Sequence, residues 1–188
     1  MDHSKKQTLT SQVVLETIND KSIELFDYQD KPLNRDLIYK LTNEKEVTKV
    51  FHFWASWCDP CAIELPELIS YAKKISQDKA SKNTSGGVKG LSEANSAELS
   101  KDVANASGAF GGNVQIYLVS LDSDFEGLSK FTKIFPEIAS KDFIQVWDKN
   151  NSLSARYGVD KLPMTVFIFP DGRIEIHEGV VSWKNLSL

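Results

Sequence analysis

Apolar residues fall along this chain in short runs parted by polar turns, and the period of each run predicts its element. Residues 50–55 (Val-Phe-His-Phe-Trp-Ala) are apolar at every position but His52, so the run does not alternate. Such a strand is covered on both faces, as in the middle of a parallel or mixed sheet. Residues 114–121 form a second apolar strand, and 143–147 a shorter one. Leu65, Leu68, Ile69, Ala72 and Ile75 trace one buried stripe, which predicts a helix from near Pro60 to about Ser76. Pro60 suits the first helical turn, where its missing N–H costs nothing; Pro66 removes an intrahelical bond and predicts a kink. Phe125, Leu128, Phe131 and Ile134 give a second helical spacing over 124–135, and Ser152–Tyr157 reads as a short helix stopped by Gly158. Asp171-Gly172 is a hairpin signal between the apolar run 164–169 and the alternating run 173–177. The order β–α–β–α–β–β predicts an α/β sandwich with a mixed sheet.

Ahead of this core, Val13-Val14-Leu15 and residues 22–27 read as two short strands of an N-terminal hairpin, with Asn19-Asp20 between them. Asp30-Lys31 marks a further turn and 34–41 a short helix. Residues 78–112 break the pattern. They hold six of the ten glycines, with much Ser and Ala and one aromatic residue, and their acids and bases balance. This segment reads as an inserted surface loop of two flexible arms around one weak helix marked by Leu91, Leu99 and Val103; a partner-binding arm is the alternative.

Length and charge narrow the classes. At roughly 100–200 residues per domain, 188 residues make one domain. A net charge of −4 without a basic stripe gives no footprint for nucleic acid. No segment reaches the ~18 consecutive apolar residues of a membrane span. Lys5 and Lys6 are followed by Gln7–Gln12, which is polar where a secretion signal needs an apolar stretch. The expectation is a cytosolic protein, or one whose leader has been removed.

The only cysteines are Cys58 and Cys61, spaced C-x-x-C. A structural zinc site needs four ligands, usually from two such pairs, so no metal site is expected. By itself the spacing is a weak signal, and its flanks carry the rest. The stretch Phe53-Trp54-Ala55-Ser56-Trp57-Cys58-Asp59-Pro60-Cys61, followed by Glu64 and Pro66, resembles the TlpA/ResA-like branch of the thioredoxin superfamily. Tyr157-Gly158-Val159, Leu162-Pro163 and Phe169-Pro170-Asp171-Gly172-Arg173-Ile174 match the same branch in the right order, as does the N-terminal hairpin leading into 34–41. The resemblance covers 12–78 and 113–183. It departs in the length of the 78–112 insertion, in a last helix that is short or absent, and at His52, where thioredoxins carry a buried acid.

The resemblance implies a thioredoxin-like fold over 1–188, a redox-active disulfide as the sole redox group with no further cofactor, and reduction of protein disulfides in the cell envelope or periplasm. Apocytochrome c is one target of that branch. The implied partners are a disulfide-bearing protein and a membrane thiol that supplies electrons; the chain is expected to act as a monomer. Elementary chemistry supports the roles. A thiol just before a helix meets unpaired N–H groups and the positive dipole end, which favour the thiolate, so Cys58 is the expected nucleophile. Cys61, inside the first turn, is the resolving thiol. Asp59, between them, opposes the thiolate and favours a less oxidising couple, and Pro60 stiffens the helix start.

Glu64 shares a helix face with Cys61 and is either a desolvated acid that takes the Cys61 proton or a solvated first-turn residue. His52 is either a proton-transfer group beneath the disulfide or a neutral core histidine held by one hydrogen bond. Trp57 is assigned to the rim of the substrate site. Leu162 offers its backbone to substrate there, before a Pro163 that the resemblance makes cis; spacing alone reads equally as a trans proline opening a strand. Two other classes stand beside the oxidoreductase: a copper chaperone using the cysteine pair with one histidine, and a non-catalytic module working through the insertion.

Overall fold

The computed structural model describes residues 23–83, 110–111 and 114–186. Its elements, in chain order, begin with α1 (Arg35–Asn43), β1 (Thr48–Trp54), α2 (Asp59–Asn83), β2 (Phe110–Gly111) and β3 (Val114–Ser120). They continue with α3 (Phe125–Ile134), a 3-10 turn at Pro136–Ala139, β4 (Ile144–Trp147) and α4 (Ser152–Tyr157). The chain then forms β5 (Met164–Ile168), β6 (Ile174–Glu178) and a 3-10 turn at Trp183–Asn185. The sheet runs β2-β3-β1-β5-β6, with β4 sharing the outer edge of β3. β1 lies parallel to β3 and antiparallel to β5, so the sheet is mixed, as the pattern predicts.

β1 is buried along its whole length because each face meets its own core. Val50 and Trp54 join Leu65 and Leu68 of α2, Leu128 and Phe131 of α3, and Trp183. Phe51 and Phe53 turn to the other face, with Ile38 of α1, Leu153 and Tyr157 of α4, and Val119 and Val166 from the flanking strands. Alternate side chains of one strand thus fill two cores, which is why the run is apolar throughout.

Three expectations change at their edges. Residues 22–27 do not make a hairpin strand over the described part. Phe26 makes isolated antiparallel bridges to Pro32 and to Trp147, exchanging N–H···O bonds of 3.2 and 2.7 Å with the latter. Directly after it, Asp27 accepts the amides of Gln29 and Lys31 and turns the chain back. Val13–Leu15 and Asn19-Asp20 lie outside the described residues. α2 does not stop near Ser76 but continues to Asn83, running through Pro66 without ending. The segment set apart at 78–112 therefore begins in helix and closes in β2, which pairs with β3; Leu91, Leu99 and Val103 lie outside the described residues.

α4 has only six residues, and its preceding Asn151 sits at φ 52° without a side-chain cap. Asp148, fully buried at the end of β4, does the capping. Its carboxylate accepts the amides of Leu153 and Ser154 at 3.1 and 2.8 Å and the Ser152 hydroxyl at 3.2 Å. This anchors α4 as one wall of the cleft described below.

Candidate active site

β1 delivers the chain to the site, and the turn after it is pinned from outside. The Ser56 amide bonds both carboxylate oxygens of Asp122 at 3.1 Å, its hydroxyl bonds Oδ1, and the Ser120 hydroxyl holds Oδ2 at 2.7 Å. The Asp122 carbonyl accepts the Trp147 indole N–H at 2.7 Å. Gly127 completes this support: a Cβ there would stand 3.2 Å from the Ser56 hydroxyl oxygen. Trp54, fully buried, donates its indole N–H to the Tyr28 hydroxyl, which donates on to the Leu118 carbonyl.

Cys58 follows as the residue before α2, and it is bonded to Cys61 with an S–S distance of 2.03 Å. The Cys61 amide donates to Cys58 Sγ at 3.3 Å, so the sulfur already occupies the place of a helix-capping acceptor. Cys58 keeps 5% of its surface exposed and Cys61 none. Asp59 and Pro60 are exposed at the helix start, on the rim. A cleft of about 640 Å³ opens beside Cys58; its walls include Trp57, Asp59, Pro60, Leu121, Ala155 and Leu162. Trp57 is 67% exposed there. The Leu162–Pro163 bond is cis, as the resemblance implied; Pro163 is buried and its carbonyl accepts the Gly179 amide at 2.8 Å. Pro163 itself is not among the residues lining that cleft.

Glu64 is 2% exposed, so the solvated alternative does not hold. One oxygen, Oε1, accepts the Val181 amide at 2.9 Å and the Trp183 indole N–H at 2.5 Å. The other, Oε2, is buried without a hydrogen-bond partner. Burial pushes its pKa up, and these two bonds oppose the rise without cancelling it; Glu67, one turn on, adds to it.

His52 is fully buried on the same face of β1. Its Nδ1 lies 2.9 Å from the Thr165 hydroxyl, and its ring stands edge-on to Trp183 at 5.8 Å. Burial holds its pKa down to about 3, so it is neutral at physiological pH. This is the core-histidine alternative: a neutral ring on one hydrogen bond, with Nε2 unpartnered. Among the described residues no group of three His, Cys, Asp or Glu is arranged to hold a metal ion.

Reading the residues missed Asp122 and the polar role of Trp183. A Ser-x-Asp directly after an apolar strand was the available signal for the first. For the second, a buried tryptophan needs a partner for its N–H.

The fold and the disulfide define a class: a mixed α/β sheet whose central strand feeds a C-x-x-C pair at a helix start, with a cis-proline at the head of the strand antiparallel to it. No family model matches the sequence, and no curated protein does. Solved structures do match. The chain is similar to DsbF of Mycobacterium tuberculosis, solved in mixed oxidised and reduced forms, with a TM-score of 0.57 and 17% identity over 92% of this chain and 90% of that one. It is similar to StoA from Bacillus subtilis, with a TM-score of 0.50 and 17% identity over 86% and 90%. At that identity the likeness shows the fold, which is thioredoxin-like.

Proposed function

We propose that this protein is a thiol-disulfide oxidoreductase that reduces disulfides in cell-envelope proteins, apocytochrome c among its target types, by exchange at Cys58 and Cys61. One observation carries the reading: the disulfide lies at the start of α2, with one sulfur at the mouth of a cleft and the other sealed behind it. An inert clip would not need this asymmetry.

In the reduced protein, Cys58 reacts as thiolate, stabilised by the Cys61 amide and the helix start. It attacks a target disulfide, forms a mixed disulfide and releases one target sulfur as a thiolate, which takes up a proton. Cys61 then loses its proton to Glu64 and attacks Cys58 Sγ. The second target sulfur leaves as a thiolate and is protonated in turn, and the Cys58–Cys61 bond is restored. The target has gained two electrons and two protons; the protein has given up both electrons and the Cys61 proton, which Glu64 passes on, and the other proton comes from solvent. A membrane thiol donor resets the pair. Asp59 places a negative charge next to the thiolate, which supports a reducing couple. Trp57 and Leu162, which both line the cleft, are the surfaces for the segment carrying the target disulfide.

The test is chemical trapping. The Cys61→Ser variant, mixed with a disulfide-bearing protein, accumulates a covalent adduct at Cys58 that dithiothreitol releases, while Cys58→Ser gives none. A wild-type protein inactive in disulfide reduction, together with a Cys61→Ser variant that forms no adduct, contradicts the reading.

A further inference from the structure

The segment after β6 is tied to both halves of the site. Gly179 donates its amide to the Pro163 carbonyl, on the cis-proline side. Two residues on, the Val181 amide and then the Trp183 indole N–H converge on Glu64 Oε1. Lys184 closes the crossing with a 2.8 Å ion pair to Glu67, one turn beyond Glu64 on α2. Trp183 is wholly buried, and its ring packs on Tyr71, Phe167 and His52. This packing fixes where its N–H points.

Two donors on one oxygen stop the carboxyl group from rotating. Oε2 is then left as its only atom without a donor, one helical turn from Cys61 on the same face. Building on the assignment of Glu64 as acceptor of the Cys61 proton, we propose that Trp183, with the Val181 amide, is the positioning group that sets at which pH Glu64 takes that proton. Trp183 touches neither substrate nor sulfur in this role; it acts through Glu64.

Among the described residues, the charged and titratable groups around this carboxyl are few. Cys58 stands just before its helix, Cys61 and Glu67 lie on it, Lys184 comes from the crossing segment and pairs with Glu67, and Tyr71 and His52 pack against the Trp183 ring. Burial keeps His52 uncharged and raises the Tyr71 phenol to about 12, so neither changes charge near neutral pH. Both hydrogen bonds to Oε1 favour the carboxylate. Losing one therefore makes Glu64 harder to ionise and delays the Cys61 step to higher pH.

The experiment separates the two thiol steps. Reduced protein is mixed with one equivalent of Ellman's reagent in a stopped-flow instrument. The first thionitrobenzoate released reports attack by Cys58, and the second reports attack by Cys61 on the mixed disulfide. In the wild type the second release has an acid limb. In Trp183→Phe that limb moves up by about one pH unit, a roughly tenfold slowing at fixed pH on the limb, as expected for one hydrogen bond to a charged group. The first release does not move. Because Phe also leaves a void in the core, the same measurement is made with 3-benzothienylalanine at position 183, which keeps the ring shape and lacks only the N–H; its limb moves as well. Glu64→Gln leaves Cys61 to ionise unaided, so its limb moves further up still, and Trp183→Phe adds no shift on top of it. If the benzothienyl protein keeps the wild-type limb while Glu64→Gln moves it, the positioning role of Trp183 is wrong and the role of Glu64 stands. If Glu64→Gln keeps the wild-type limb, the assignment of Glu64 fails and this inference with it.

Discussion

His52 illustrates how burial decides chemistry for one side chain. Six residues ahead of the nucleophile, it looks placed for proton transfer, yet full burial with a single hydrogen bond keeps it neutral. Its folded pKa of about 3 lies below the ordinary histidine value of 6.5. Between those values the unfolded chain binds a proton that the folded protein refuses, so stability is complete above the unfolded value and falls as pH drops toward the folded one. Relative to His52→Asn, which does not titrate, the wild type should lose about 2 kcal/mol between pH 6.5 and pH 5. Urea unfolding at several pH values checks this, and parallel curves for the two proteins would contradict it. Glu64 carries the opposite sign. Its raised pKa stabilises the fold below the unfolded carboxyl value, and that contribution is lost as pH rises through the folded one. It is present in both proteins and drops out of the comparison.

At the scale of elements, local pattern was readable where packing follows the chain's own period and unreadable where a distant partner decides. β1, β3 and the β5–β6 hairpin are legible because unbroken apolar runs and an Asp-Gly turn have few other solutions. The end of α2 is not. After Ser76 the chain turns polar, so the buried stripe fades while the backbone hydrogen bonds continue to Asn83. Phe26 shows the converse: apolar neighbours read as a strand, but the pairing is confined to isolated bridges of Phe26 with Pro32 and Trp147. In the site, the cysteine pair, the acid one turn on and the cis-proline were visible as spacing or resemblance. Asp122 was hidden, because its hold on Ser56 spans 66 residues and exists only once β3 lies beside β1.

The short α4 depends in the same way on a group outside itself. Asp148→Ala removes the acceptor for two amides and a hydroxyl at a buried helix start, which should cost about 1–3 kcal/mol of stability. Amide exchange at residues 153–155 should speed up together with the loss, and the Michaelis constant for protein disulfides should rise because one cleft wall loosens. Unchanged exchange there would show that packing alone holds α4.

Across the whole molecule, two cores clasp one strand, and that strand ends where the chemistry is proposed to begin. The rigid sheet carries Cys58 to the cleft, α2 shields Cys61 and aligns Glu64 with it, and the segment after β6 laces the cis-proline to that acid. Each connection serves the same end: two sulfurs that open and close reversibly without disturbing the fold around them. Equilibrating the protein with glutathione and dithiothreitol buffers of known potential, and counting free thiols at each, measures that property directly. A single reversible two-electron transition at both Cys58 and Cys61 is expected, with a potential below about −220 mV, as suits a reductant. A transition near about −120 mV would make the protein an oxidant, and a pair that does not open reversibly while the protein stays folded would contradict the account altogether.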